Sequence, residues 1–456
     1  MKLLGLAIAL FLPANARADA PGTDVIAFIH VNVLPMDRER VLRDQTVIVE
    51  VATIKAIGPE LKPPAGARII DGHKTAYLSP GLADMHIHSD TRNDLAMYLA
   101  SGVTTVLHMG GARAGFVDTI VPEANGGKIP APQVYTGFLV DGTTAYNAFV
   151  IKTPDEARAI VGLAKTNGYD FIKVYVGLTP DVYEALAAEA LKQNIPLVGH
   201  GVYAVRLDRQ LAAGQAMVAH AEEFFYSYFT PAGVKEKDAP PSLSRIPEAV
   251  ALVQRYKPAI TADLLTYGTI TRLIGHPETL APIMSRPEIA YLTPADRMAW
   301  RKSDYFTKTV NLNAKFAFLQ RFVKALADGG VELIAGTDAP TIPGLFPGRS
   351  SHDALDALET AGLSRFQALS TATRAPGAFI HRTKGGRRFG IVAPGYAADL
   401  ILSDSNPLDD LATLRTPIGV MAQGRWRDAA SLDKIREDVR TSYEAIISPS
   451  KNAAAR

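Results

Sequence analysis

The stretch Leu82-Ala83-Asp84-Met85-His86-Ile87-His88 decides the fold. An apolar run that ends in His-x-His reads as a strand. Strands alternate faces with period two, so His86 and His88 point the same way, about 6–7 Å apart. No helix places residues i and i+2 side by side. Two imidazoles on one strand face can grip one metal ion, which makes this strand end a candidate metal site.

Outward from that strand, the order strand, loop, helix repeats. Further strands are expected at 103–108, 133–138, 171–175, 196–200, 217–220, 259–263 and 332–338, with helices at 154–166, 180–193, 247–256 and 311–327 between them. Eight strands alternating with helices over roughly 300 residues is the rhythm of an α/β fold of the (β/α)8 TIM-barrel type. A doubly wound open sheet is the alternative, but no Gly-x-Gly-x-x-Gly turn follows any of these strands. The flanks differ in texture. Short alternating strands are expected at 25–30, 46–50, 54–58 and 67–72, and again at 398–402 and 417–421, so the two ends of the chain can pair beside the barrel. The expected organisation is a signal peptide at 1–20, an N-terminal β-section at 21–80, the barrel at 81–385, a C-terminal β-section at 386–430 and a helix with a tail at 431–456.

Composition narrows the function. The chain has 456 residues, is 47% hydrophobic and 21% charged, and carries a formal net charge of +2. That suits a compact globular protein and gives no electrostatic case for nucleic acid as a partner. Lys2 followed by an apolar run from Leu3 to Pro13 and small-x-small sites reads as a signal peptide cleaved after Ala20. The apolar run is too short to span a bilayer, so no membrane anchor is expected. There are no cysteines, hence no disulfides. The expectation is a periplasmic or secreted protein.

The polar residues on the barrel strands fall at the strand ends: His86 and His88, Lys173, His200, His220 and Asp338. TIM-barrel active sites are built on that face. Four of the chain's 10 histidines land there. Imidazole suits zinc and its neighbours, with manganese, cobalt or iron as alternatives. Lys173 sits in the apolar run Phe171-Ile172-Lys173-Val174-Tyr175, where a bare ammonium is costly. A neutral amine that takes up carbon dioxide becomes a carbamate, which can bridge two metals about 3.5–4 Å apart.

These motifs carry a resemblance. Pro80-Gly81-Leu82-Ala83-Asp84-Met85-His86-Ile87-His88, Ile172-Lys173-Val174, Gly199-His200-Gly201, Ala219-His220-Ala221 and Ala335-Gly336-Thr337-Asp338 resemble the amidohydrolase superfamily, in its imidazolonepropionase-like and prolidase-like branch (the Xaa-Pro and Xaa-Arg dipeptidase type). Gly395-Tyr396-Ala397-Ala398-Asp399-Leu400-Ile401-Leu402 resembles the family's return strand. The resemblance implies a distorted barrel with a small composite β-sandwich formed by the two terminal sections. It also implies two divalent ions: one on His86, His88 and Asp338, the other on His200 and His220, with carboxylated Lys173 between them. A metal-activated water would hydrolyse an amide C–N bond, most simply of a dipeptide or N-acyl amino acid, with Asp338 as catalytic proton shuttle. An ester, lactone or cyclic amide is the alternative substrate, and a metal- or ligand-binding pseudoenzyme is the rival outside catalysis. Homo-oligomerisation is left open.

Substrate contacts are assigned to Tyr228 after strand six, to Arg349 and His352 after strand eight, and to His108 at the end of strand two, where it can also stand behind a metal ligand. Residues 267–308 read as a long loop, a candidate lid over the site.

Overall fold

The computed structural model describes residues 25–447. The expected signal segment and the last residues of the tail lie outside the described residues. The N-terminal section forms β1 (Ile26–Val33), β2 (Leu42–Glu50), β3 (Thr53–Gly58), β4 (Arg68–Asp71) and β5 (Tyr77–Pro80). The barrel strands follow: β6 (Leu82–Ile87), β7 (Val103–His108), β8 (Gln133–Asp141) with its short neighbour β9 (Phe149–Val150), β10 (Phe171–Val174), β11 (Leu197–Gly199), β12 (Met217–Val218), β13 (Ala259–Thr261) and β14 (Leu333–Ile334). The C-terminal section adds β15 (Leu400–Ser403), β16 (Gly419–Ala422) and β17 (Arg425–Asp428).

The strands β6, β7, β8 and β10 to β14 pair in order and in parallel. Residues just beyond β14 close the ring onto β6. The Asp338 amide donates to the His86 carbonyl at 2.7 Å, and the His88 amide donates to the Ala339 carbonyl at 2.9 Å. Met85, Leu107, Phe171, Val198, Met217, Ala259 and Ile334 pack in one buried cluster. A cluster drawing on seven different strands of one ring forms only inside it, so the barrel has an apolar floor beneath its polar rim. The flanking sections make one mixed sheet in the order β17-β16-β15-β5-β1-β2-β3, with β4 on β1. Its seam is the antiparallel pair β15–β5, which joins residue 400 to residue 80. Phe28, Val47, Leu78, Leu400 and Met421 fill its core.

Local signals explain the helices. Thr153 and Glu156 form a reciprocal capping box with Pro154 in the first turn, starting the helix Pro154–Thr166. The stretch 267–308 departs from expectation. It is a helical excursion rather than an open loop: Tyr267 belongs to the helix Leu264–Leu273, and the helices Leu280–Met284 and Pro294–Arg301 follow. Thr293 caps the last of these by accepting from the Asp296 amide, so Thr-Pro-Ala-Asp is a helix start that the loop reading passed over. Trp300 anchors the excursion. It is buried, meets Phe346 edge-on with ring centres 5.0 Å apart, and donates from Nε1 to the Pro340 carbonyl at 2.7 Å.

One buried carboxyl near this excursion predicts a pH effect. Asp94, in the helix Arg92–Ala100, is buried, and burial reinforced by Asp296 and Asp90 pushes its pKa up to about 7. The folded pKa lies above the unfolded one, so its stabilising contribution is full below about pH 4 and is lost as pH rises through about 7. Asp94→Asn is therefore expected to melt like the parent at pH 4 and to be more stable at pH 8, on the order of 1–3 kcal/mol. Equal melting temperatures for the two proteins at pH 8 would contradict this.

Candidate metal centre

All six expected ligands gather at the C-terminal rim of the ring. His86 is the last residue but one of β6 and is fully buried, and His88 lies one residue past the strand end. Asp338 follows β14 in the left-handed region, with φ 61. Its Oδ1 is 3.0 Å from His88 Nε2 and 3.7 Å from His86 Nε2. Nitrogen and oxygen atoms of these three residues lie within 4.8 Å of one another, close enough to share an ion. The His86 ring lies 4.4 Å from that of His220, which in turn lies 4.9 Å from that of His200.

The strands β12 and β14 are shorter than expected, and the reason is chemical. His220 has φ 76 and Asp338 has φ 61, so both leave the ladder before their side chains turn to the rim. Left-handed backbone at non-glycine residues is costly and concentrates at functional sites.

Lys173 stands on β10 with 2% exposure. Gly199, with φ 129, makes room for its stem: a Cβ there would come within 2.9 Å of the lysine Cδ and 2.3 Å of the Val174 carbonyl oxygen. Burial lowers the Lys173 pKa to about 8, against the opposing pull of Asp338, Glu223 and Asp263. Burial likewise holds His86 and His200 well below the ordinary imidazole range, helped by the Lys173 amine, so both stay neutral and able to ligate. For Asp338, burial works toward a higher pKa, but the cluster of histidines around it, with the hydrogen bond from His88, outweighs this and keeps the carboxylate ionised.

The histidines are held from behind. His88 Nδ1 meets the Gly110 carbonyl at 2.9 Å, and His200 Nδ1 meets Glu223 Oε1 at 2.5 Å. His220 Nδ1 lies 2.6 Å from Asp263 Oδ2. Each contact leaves Nε2 free, which is how second carboxylates and carbonyls orient metal-binding imidazoles. These supports were missed in sequence. Asp263 and Glu223 carried a usable signal, an acid placed at a strand end and an acid three residues past a ligand.

The residues expected to touch substrate lie in different surroundings. Tyr228 follows the helix Glu223–Ser227 and packs on Phe224 and Phe229 under Arg245. Arg349 opens the helix Arg349–Thr360 and pairs with Asp353 at 3.1 Å. His352 is buried and meets the Ser101 carbonyl at 2.8 Å. Both line a cavity of about 440 Å³ shared with Met97, Tyr291 and Leu432, away from the rim ligands. His108 is buried behind His88, with ring centres 5.7 Å apart, and contributes packing there. Tyr175 is the aromatic residue that does reach the centre: its ring lies 4.3 Å from that of His200 and 5.1 Å from that of Tyr146. Spacing could have found it, since Tyr175 is two residues past Lys173 and directly follows β10. Tyr228→Phe and Arg349→Ala are accordingly expected to keep kcat/KM within about threefold of the parent, and a loss above tenfold in either would restore that residue to the substrate site.

No family model matches the chain. Among curated proteins it is similar to the imidazolonepropionase of Salinispora tropica, 25% identical over 393 residues that cover 80% of this chain and 86% of that protein. Among solved structures it is similar to a bottromycin amidohydrolase, with a TM-score of 0.71 and 23% identity over 92% of this chain and 90% of the other. It is also similar to a Xaa-Pro dipeptidase with methionine bound in its active site, with a TM-score of 0.66 and 17% identity over 89% and 100% of the two chains. The chain is thus similar in sequence to an imidazolonepropionase, and it shares its fold with solved amidohydrolase and dipeptidase structures.

Proposed function

We propose that this protein is an exported hydrolase that uses two divalent ions, zinc in the first instance, to cleave the amide C–N bond of a small substrate such as a dipeptide or N-acyl amino acid. The observation that carries this is the convergence of His86, His88 and Asp338 on one point, with His220, His200 and Lys173 beside it. The residues fit metal ions. Nε2 of the fully buried His86 lacks a hydrogen-bond partner, an expense that a coordinated ion would relieve, while Nδ1 faces Asp263 Oδ2 at 3.5 Å. The Lys173 amine is buried with a lowered pKa, which favours the neutral form that takes up carbon dioxide.

In this reading His86, His88 and Asp338 hold one ion, His200 and His220 the other, and carboxylated Lys173 joins them. When bound, the ions would polarise the scissile carbonyl and acidify a water. The chain's own contribution to the chemistry rests on Asp338. Its carboxylate is ionised and reaches the cleft, so it can accept a proton from the attacking water and return it to the leaving amine. Tyr175, tilted against the His200 ring, supplies an aromatic wall for the substrate. The second reading is a cyclic amide, favoured by the likeness to a protein whose name denotes an imidazolone substrate.

Metal analysis with a hydrolysis panel tests both readings. Two ions per chain and turnover of linear dipeptides or N-acyl amino acids support the first, and turnover of cyclic amides alone supports the second. Ions bound without turnover of any amide or ester sinks the enzyme reading. Export rests on residues 1–20, and N-terminal sequencing of protein recovered from the periplasm or medium should begin at Pro21.

A further inference from the structure

Asp263 has an unusual place at the rim. It follows β13 with φ 40, and its side chain is inaccessible to solvent. Its Oδ2 is 2.6 Å from His220 Nδ1 and also 3.5 Å from His86 Nδ1. The other oxygen is closed off by the backbone: a Cβ on Gly336 would lie 2.6 Å from Oδ1. One carboxylate oxygen thus faces the Nδ1 atoms of two histidines, and those histidines, on the binuclear reading above, serve different ions. His88 and His200 differ, since each turns Nδ1 to a partner of its own, the Gly110 carbonyl and Glu223.

We propose that Asp263 is a positioning residue shared by the two metal sites, fixing His86 and His220 in the tautomer that presents Nε2 and making the two sites depend on each other. The inference rests on the binuclear reading. The physical argument has two parts. To face a carboxylate oxygen, each imidazole carries its proton on Nδ1, which frees the Nε2 lone pair for an ion. An ion drawing density from Nε2 makes Nδ1–H a stronger donor, so loading one site tightens the oxygen that the other site also uses. With ions bound, Asp263 would in addition place a buried carboxylate behind a histidine of each, in a medium where charge interactions are weakly screened.

The test is calorimetric titration of zinc into metal-free parent, Asp263→Asn and Glu223→Gln. Asparagine tolerates left-handed backbone, so Asp263→Asn removes the charge without forcing a new fold. The parent is expected to bind two ions. Glu223→Gln should weaken one of them, the ion on His200. Asp263→Asn should weaken both, each by about 10–100-fold. Parent-like affinity for either ion in Asp263→Asn overturns the shared role. A parent that binds no zinc at all overturns the metal reading instead. If Asp263→Asn does not fold, Asp263→Glu keeps the charge and displaces the oxygen. A zinc-induced rise in Tm as large as the parent's in that variant likewise overturns the proposal.

Discussion

Replacing Asp338 by Asn is expected to lower kcat by about two to four orders of magnitude while leaving a folded protein, because a positioned acid–base group contributes on that scale. Two features separate chemistry from folding at this residue. The barrel closes through its backbone amide, which donates to the His86 carbonyl at 2.7 Å, and not through its side chain. Its φ of 61 is one that asparagine adopts readily. The apo-protein melting temperature should therefore stay near the parent's. Asparagine can still offer an oxygen at the place now 3.0 Å from His88 Nε2, but it cannot take up a proton. The kinetic signature is a fall in kcat that exceeds any rise in KM, read beside the metal content of the same preparation. A kcat within tenfold of the parent, with both ions present, removes Asp338 from the proton transfer.

The parts of this site that were legible in the sequence share one property: their position follows from strand periodicity. His86 and His88 are two apart on one strand, and Lys173 sits inside a strand, so period two places all three at the rim. Asp263, His220 and Asp338 lie beyond the last ladder residue in left-handed backbone. Periodicity gives their neighbourhood but not the direction of their side chains, which is why Asp263 was read only as the end of a strand. The adjacent acids Glu222 and Glu223 show the same limit. Glu223 turns to His200 and to the Gly201 amide, while a buried oxygen of Glu222 has no hydrogen-bond partner among the described residues. Which of two neighbours turns inward is settled by the helix Glu223–Ser227 that starts there, not by residue type. Tyr228, one residue beyond that helix, is rotated away for the same reason. The fold itself was easier to read, because the barrel strands are apolar runs bounded by turn residues and the helix Pro154–Thr166 carries a capping box. The stretch 267–308 failed because its helices are short, and the one at Pro294–Arg301 starts on Pro, a residue more readily taken as a breaker than as a first-turn residue.

Replacing Lys173 by Ala is expected to remove the ions and the activity together, with kcat/KM falling at least a thousandfold. The expectation follows from where the amine sits. Its side chain is 2% exposed and no carboxylate lies within ion-pair distance among the described residues, so as an ammonium it is a buried charge held at a cost. Glycine at 199 is required chiefly by the close Val174 backbone and its own positive φ, and it leaves room for the lysine stem beside it. A purely structural lysine would gain nothing from that arrangement. A carbamate would: it replaces an uncompensated cation with an anion between two dications. Two measurements isolate this from a general packing defect. Lys173→Ala removes a buried charge, so its metal-free form should melt no lower than the metal-free parent. Parent stripped of metal should recover activity with zinc slowly in buffer freed of carbon dioxide, and faster when bicarbonate is added. Reactivation that is indifferent to bicarbonate, or a Lys173→Ala protein that keeps both ions, leaves Lys173 a buried amine and returns the bridging role to another ligand, with Asp263 next in reach of both sites.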